Sequence, residues 1–285
     1  MSFLSVKGGH AARAVLLLAL VFSASSAYAA RVLYSGGAHA LDNARVLGLG
    51  HTSATFADND AGWAGVFSGA NGPFDAILVG ENSARSLSTG TKTAIASYVS
   101  AGGRIIVASD HAGNIAFMNS IFGYATTLNY GCLDNESVAG TLQSGDTATF
   151  AAGPPNVKNL SCTSALNLAS VPSGAKSIYS GAGTSVAFAA NYGSGRFVWL
   201  GYDYYSQSAT ATNIDDWYLV LDNSIKFTGL FTTCAAKGYA GARLSLCRQV
   251  CEVPQTMTKL AGLVQLYTRT YGTAPPCGAV LATLP

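Results

Sequence analysis

The stretch TKTAIASYVSAGGRIIVASDHAGN, Thr91 to Asn114, decides the fold. Ile95, Tyr98 and Val99 fall at helical spacing, and Gly102-Gly103 ends that helix with the residue type that most readily takes a left-handed C-cap. Arg104 to Ser109 (RIIVAS) is then a continuous apolar, β-branched run, which suits a strand covered on both faces. A further helix is expected from about Asn114 to Phe122. Helix, two-faced strand and helix in so short a span point to an α/β layer architecture.

Working outward, Arg31 to Ser35, Thr52 to Ala57 and Phe74 to Gly80 read as earlier strands, with a short helix around Leu41 to Leu47. Downstream, Ser177 to Tyr179 and Ser185 to Ala190 look antiparallel, and Asn191 to Gly195 (NYGSG) is a hairpin turn into the strand Arg196 to Gly201. Asp215 to Phe227 sets Trp217, Leu221 and Ile225 on one helical stripe. The expectation is a doubly wound, mostly parallel, flavodoxin-like sheet over residues 30–230, with right-handed crossovers and a poorly periodic insertion at about 125–175.

The composition fits a globular chain. Of 285 residues 49% are hydrophobic and 11% charged, with a net charge of +2 and mean hydropathy +0.29, which excludes a disordered tail protein. It also excludes nucleic acid as the main partner, because phosphate binding needs a dense Lys/Arg surface. Lys7 and Arg13, the apolar run Ala14 to Phe22 and the small-x-small site Ala27-Tyr28-Ala29 read as a signal peptide over residues 1–29. The mature chain is then secreted or periplasmic and starts near Ala30. No other stretch is apolar enough for a membrane span.

Six cysteines in an exported chain read as disulfides. Cys132 with Cys162 would staple the insertion, closing a loop worth roughly 3–4 kcal/mol. Residues 231–285 leave the sheet pattern: Leu244 to Glu252 and Thr258 to Thr270 look helical, separated by Pro254, and carry Cys234, Cys247, Cys251 and Cys277 nearby. Of three pairings, Cys247 with Cys277 and Cys234 with Cys251 is favoured, on the view that the second helix returns the chain to the start of the first. The excess of basic residues after Thr232 reads as a solvated helix face.

Ligands of such sheets bind beyond the carboxyl ends of the strands, so the residues there are the candidates. They include His39 after the first strand, Asp58 and Asp60 after the second, Glu81 after the third, Asp110 and His111 after the fourth, and Asp203, Tyr204 and Tyr205 after the last long one. Ser109-Asp110-His111-Ala112-Gly113 has the small-x-Nu-x-small spacing of a nucleophile elbow. His111 could act there as a general base oriented by Asp110 or Glu81; Asp110 could act as a carboxylate nucleophile; or both could simply brace the turn. Tyr202, Tyr204 and Tyr205 with Trp63 could wall a sugar site, or pack beneath the loop.

His39, His51 and His111 show no recognised metal-ligand spacing, so no metal is expected. No nucleotide motif is present either, so no cofactor is expected.

Three segments, 74–114, 191–205 and 215–229, resemble the class I glutamine amidotransferase-like superfamily, and more closely its non-amidotransferase branches of the trehalose-utilisation type. The Cys-rich C-terminal stretch resembles the small helical tails attached to exported bacterial proteins. The first resemblance implies a Cys at the elbow of true amidotransferases. This sequence has His111 there, and no His follows in the stretch around Asp203. Cys-His glutamine hydrolysis is thereby excluded. The resemblance implies a binding or interaction module, with a small-molecule or glycan ligand from carbohydrate or cell-envelope material. A hydrolase using His111 with Asp110 or Glu81 is the alternative.

Overall fold

A computed structural model describes residues 29–36, 45–80, 85–108, 112–143, 148–151, 153–160, 162–204, 214–227, 234, 238–251 and 257–275. Arg104–Ala108 forms strand β4 and is buried from Ile105 onward. Its side chains alternate between two cores: Ile106 and Ala108 point to one face, Ile105 and Val107 to the other. The same division runs through β1 (Arg31–Gly36), β3 (Ala76–Val79) and β11 (Gly195–Leu200). Two-faced burial is what a continuous apolar run requires.

These strands pair in parallel with β2 (Thr52–Ala57) in the order β2-β1-β3-β4-β11. Helices α1 (Asp60–Phe67), α2 (Thr89–Ser100) and α3 (Ala112–Phe122) follow β2, β3 and β4 and bury Trp63, Ile95 and Met118 in one core. Helix α5 (Ile214–Lys226) and residue Val46, in the helical stretch 45–48, lie on the opposite core with Trp217 and Leu221. The protein is thus a mixed α/β sheet covered on both faces.

The sheet is not mostly parallel. Beyond β11 it continues in antiparallel fashion through β10 (Thr184–Tyr192), β9 (Lys176–Gly181), β6 (Val138–Leu142) and β7 (Asn156–Lys158), with β5 (Leu128–Leu133) and β8 (Thr163–Asn167) branching from β10. The expected shapeless insertion is therefore a sheet extension, carrying the short helix α4 (Ala148–Ala151) and tied by the Cys132–Cys162 disulfide. Its strands escape a periodicity reading because register shifts interrupt β5 and β6, and β5 has no fully buried residue. The segment that carries Trp63 is helical, as α1. Asn59 caps it by accepting from the Gly62 N–H at 2.9 Å.

Near the C-terminus, α6 (Gly241–Cys251) packs on α7 (Met257–Tyr271) around Cys234, Cys247, Val250 and Tyr267. Arg243 lies over the rings of Tyr239 and Tyr271 at 4.0 and 5.0 Å. The favoured cysteine pairing is corrected here: Cys234 bonds Cys247, not Cys251. Cys251 is also disulfide-bonded, and Cys277 lies outside the described residues. Cys247 and Cys251 stand one turn apart on the same helix face, so chain order alone does not tell which of them Cys234 reaches.

Gly195 opens β11 where the hairpin passes the end of α2. A Cβ there would lie 1.7 Å from the Val99 carbonyl oxygen. We predict that Gly195→Ala lowers stability by about 1–3 kcal/mol, read as a shifted urea midpoint, because backbone rather than a side chain must move.

Candidate functional site

The parallel strands end in a knot of polar groups. Asp58 follows β2, and its carboxylate accepts from the Trp63 indole Nε1 at 2.9 Å and from Arg85 Nε at 2.7 Å. Arg85 Nη2 also approaches Asp58 at 2.6 Å, and both side chains are buried, with 5% and 1% exposed. The guanidinium donates further to the Gly80 carbonyl at 2.8 Å and to Asn114 Oδ1, and lies over the Phe117 ring. Asn114, in the first turn of α3, donates to the carbonyls of Gly80 and Ala108 at 3.2 and 2.9 Å. One buried asparagine therefore joins the ends of β3 and β4, and one arginine joins both to β2. Ser35 Oγ of β1 accepts from the Gly80 N–H at 3.2 Å.

This knot was only half legible. Asp58 is a predicted site residue, whereas Arg85 and Asn114 were passed over. The available signal was a lone arginine after the third strand of a chain with few charges, followed by an amide at the start of the helix after the fourth.

Asp60 is exposed and braces Ser88, the N-cap of α2. It accepts from the Ser88 N–H at 3.0 Å, while Ser88 Oγ accepts from the Thr91 N–H at 3.2 Å at the start of α2. Hydrogen bonding by Thr91 and then by the Ser88 backbone holds the Asp60 carboxyl below its ordinary value of 3.8. Asp203 and Tyr204 are buried after β11. Tyr202 stacks on Trp217 at 5.2 Å, and the Tyr204 hydroxyl donates to the Trp217 carbonyl at 2.8 Å. These rings fix α5 to its core, and Trp63 is buried in the core on the opposite sheet face. The sugar-stacking wall drawn from Trp63, Tyr202 and Tyr204 is therefore not formed, because the sheet separates its parts. His39, Glu81, Asp110, His111 and Tyr205 lie outside the described residues.

His51 precedes β2, at the other end of the sheet from the candidate edge. Its Nε2 meets Asp222 at 2.9 Å, and its Nδ1 accepts from the Ala30 N–H at 3.0 Å. Among the described residues the sulfurs of Cys234, Cys247 and Cys251 lie within 4.8 Å of one another. All three are in disulfides and offer no thiolate to a metal.

Open space flanks the knot. A groove between α2 and α3 has one part of about 420 Å³, lined by Arg85, Ser86, Lys92 and Phe117. An adjoining part of about 500 Å³ is lined by Thr89, Thr93, Ser97, Ser100 and Tyr192, and Lys92 and Ser120 border both. Its lining is rich in hydroxyls, with cations on one side and an aromatic ring on the other.

The described residues form a mixed α/β sheet, and among them no cysteine is free. No protein-family model matches the chain, and neither does any curated protein. Among solved structures it is similar to a ThuA-like protein from Bacteroides uniformis, with 10% identity, 71% of this chain and 93% of that one covered, and a TM-score of 0.46. It is also similar to a cytoplasmic protein from Salmonella typhimurium, with 8% identity, coverages of 69% and 97%, and a TM-score of 0.49. A third similarity is to an exo-β-1,4-mannosidase from an Opitutaceae bacterium, with 11% identity, 70% of this chain but 36% of that one covered, and a TM-score of 0.40.

Two outcomes follow from the geometry. Asp58→Ala is expected to cost about 3–5 kcal/mol in denaturant unfolding, because it strands the buried Arg85 charge, whereas Asp58→Leu with Arg85→Met costs much less. Asp60→Asn removes a stabilisation present above pH 3.8 and lost as the carboxyl takes up its proton, so its thermal midpoint falls below that of the wild type at neutral pH and the two converge in acid.

Proposed function

We propose that the chain is an exported member of the non-amidotransferase branch of the class I glutamine amidotransferase-like superfamily, and that it binds carbohydrate or other cell-envelope material. The order β2-β1-β3-β4-β11, with helices on both faces, supports the flavodoxin-like reading of residues 30–230. The separate buried cluster around Cys247 and Tyr267 supports reading residues 231–285 as a stapled helical appendage.

One observation carries the binding reading: every cysteine among the described residues is in a disulfide, while the ends of β2, β3 and β4 are joined by the Arg85–Asp58–Asn114 knot. No thiol stands there for Cys-His chemistry. The ligand then belongs in the hydroxyl-lined groove beside the knot, where Lys92 and Tyr192 offer a cation and an aromatic face to a polyol. Asp60 braces the start of α2 and Asp58 holds Arg85 beside the groove, whereas Asp203 and Tyr204 are buried after β11. His39 and Tyr205, which follow β1 and β11, are the remaining ligand candidates.

The second reading, a hydrolase using His111 with Asp110 or Glu81, is favoured by one feature. These residues follow β4 and β3, which are adjacent and parallel with Val79 opposite Val107. Calorimetry of the secreted protein against cell-envelope glycans separates the two. Binding weakened about tenfold by Lys92→Ala and untouched by His111→Ala supports the binding module. Turnover abolished by His111→Ala supports the hydrolase, and neither binding nor turnover across the panel overturns both.

A further inference from the structure

Ala29 and Ala30, just before β1, meet a built site. Ala29 is exposed, whereas Ala30 is fully buried and donates its N–H to His51 Nδ1 at 3.0 Å. That acceptor role fixes the tautomer: Nδ1 carries no proton, so Nε2–H donates to Asp222 Oδ1 at 2.9 Å. The His51 side chain is 1% exposed and that of Asp222, on α5, 18%. The second Asp222 oxygen accepts from Lys226 Nζ at 2.7 Å. Around the same point the Thr52 N–H donates to the Ala30 carbonyl at 2.9 Å, and the Arg31 N–H donates to Asp75 Oδ2 at 2.8 Å. Ala30 is hydrogen-bonded through both its N–H and its carbonyl, and the small-x-small site ends one residue before it, at Ala29.

We infer that cleavage between Ala29 and Ala30 leaves an α-amino group that His51 and Asp222 hold at the start of β1, so that removal of the leader completes an amine–His51–Asp222 relay joining β1 to α5. This rests on the export reading. The step is a peptide-bond hydrolysis by a leader peptidase: one water adds, Ala29 keeps the carboxylate and Ala30 gains the amine. One N–H of that amine replaces the amide donor to His51 Nδ1, and the others face the side that Ala29 occupies, which is open to water. Asp222, shared with Lys226, supplies the negative charge that a sheltered ammonium needs. A histidine is suited to this position because its neutral ring accepts at one nitrogen while donating at the other.

The test uses the protein secreted from its full-length precursor. Intact mass gives the mature terminus, and an amine-acylating reagent followed by peptide mapping gives the modification rate of the α-amine. The expected result is a chain starting at Ala30 whose α-amine reacts more than about tenfold slower than that of the urea-unfolded protein. His51→Gln, checked for folding by circular dichroism, is expected to restore fast labelling. Should that variant not fold, a chain carrying one extra alanine before Ala30 serves instead, its amine displaced from the site and labelled freely. A chain starting at Ala30 whose folded form labels as fast as the unfolded one overturns the relay while leaving export intact. A chain that keeps its leader, or starts elsewhere, overturns the export reading and the relay together.

Discussion

Burial of the parallel strands on both faces is the constraint on which the rest of the molecule depends. Ile105, Ile106 and Val107 of β4 are fully buried, as are Ile77, Leu78 and Val79 of β3. A sheet sealed above and below leaves no side-chain position along the strands where a charge can sit without a partner. Polar chemistry is therefore confined to the strand ends, where the chain leaves one core for the other.

The two ends are used differently. At the carboxyl end Asp58, Arg85 and Asn114 satisfy one another and the carbonyls of Gly80 and Ala108, so the loops after β2 and β3 are held to the helix after β4. At the amino end His51 and Asp222 tie the start of β1 to α5. Asp58, Asn114 and His51 are buried, where a hydrogen-bonded ionic or polar group is costly to break and its geometry is correspondingly fixed. A chain with 11% charged residues spends several of them on such fastening.

The groove between α2 and α3 lies beside the carboxyl-end knot, and the hydroxyls of α2 and α3 face outward there because the apolar stripes of these helices are committed to the sheet. Tyr202, Tyr204 and Trp217 illustrate the same economy on the other face. Their rings fill the core, while the Tyr204 hydroxyl and the Trp217 indole N–H donate to the backbone carbonyls of Trp217 and Lys158.

The sequence by itself determined the elements whose burial is periodic or continuous. The strand at Arg104–Ala108, the helix ending before Gly102, the hairpin into β11 and the Trp217 stripe were all legible, because local pattern and final environment agree there. The antiparallel pair β9 and β10 was legible, but tertiary structure alone decided the rest of the extension, since the short, register-shifted strands β5 to β8 are defined by their partners rather than by their own alternation. It also decided that Cys234 takes Cys247, that Trp63 and Tyr202 lie on opposite faces of the sheet, and that Arg85 reaches Asp58 and Asn114. Each of these depends on distances between segments remote in the chain, which side-chain spacing along one segment does not encode.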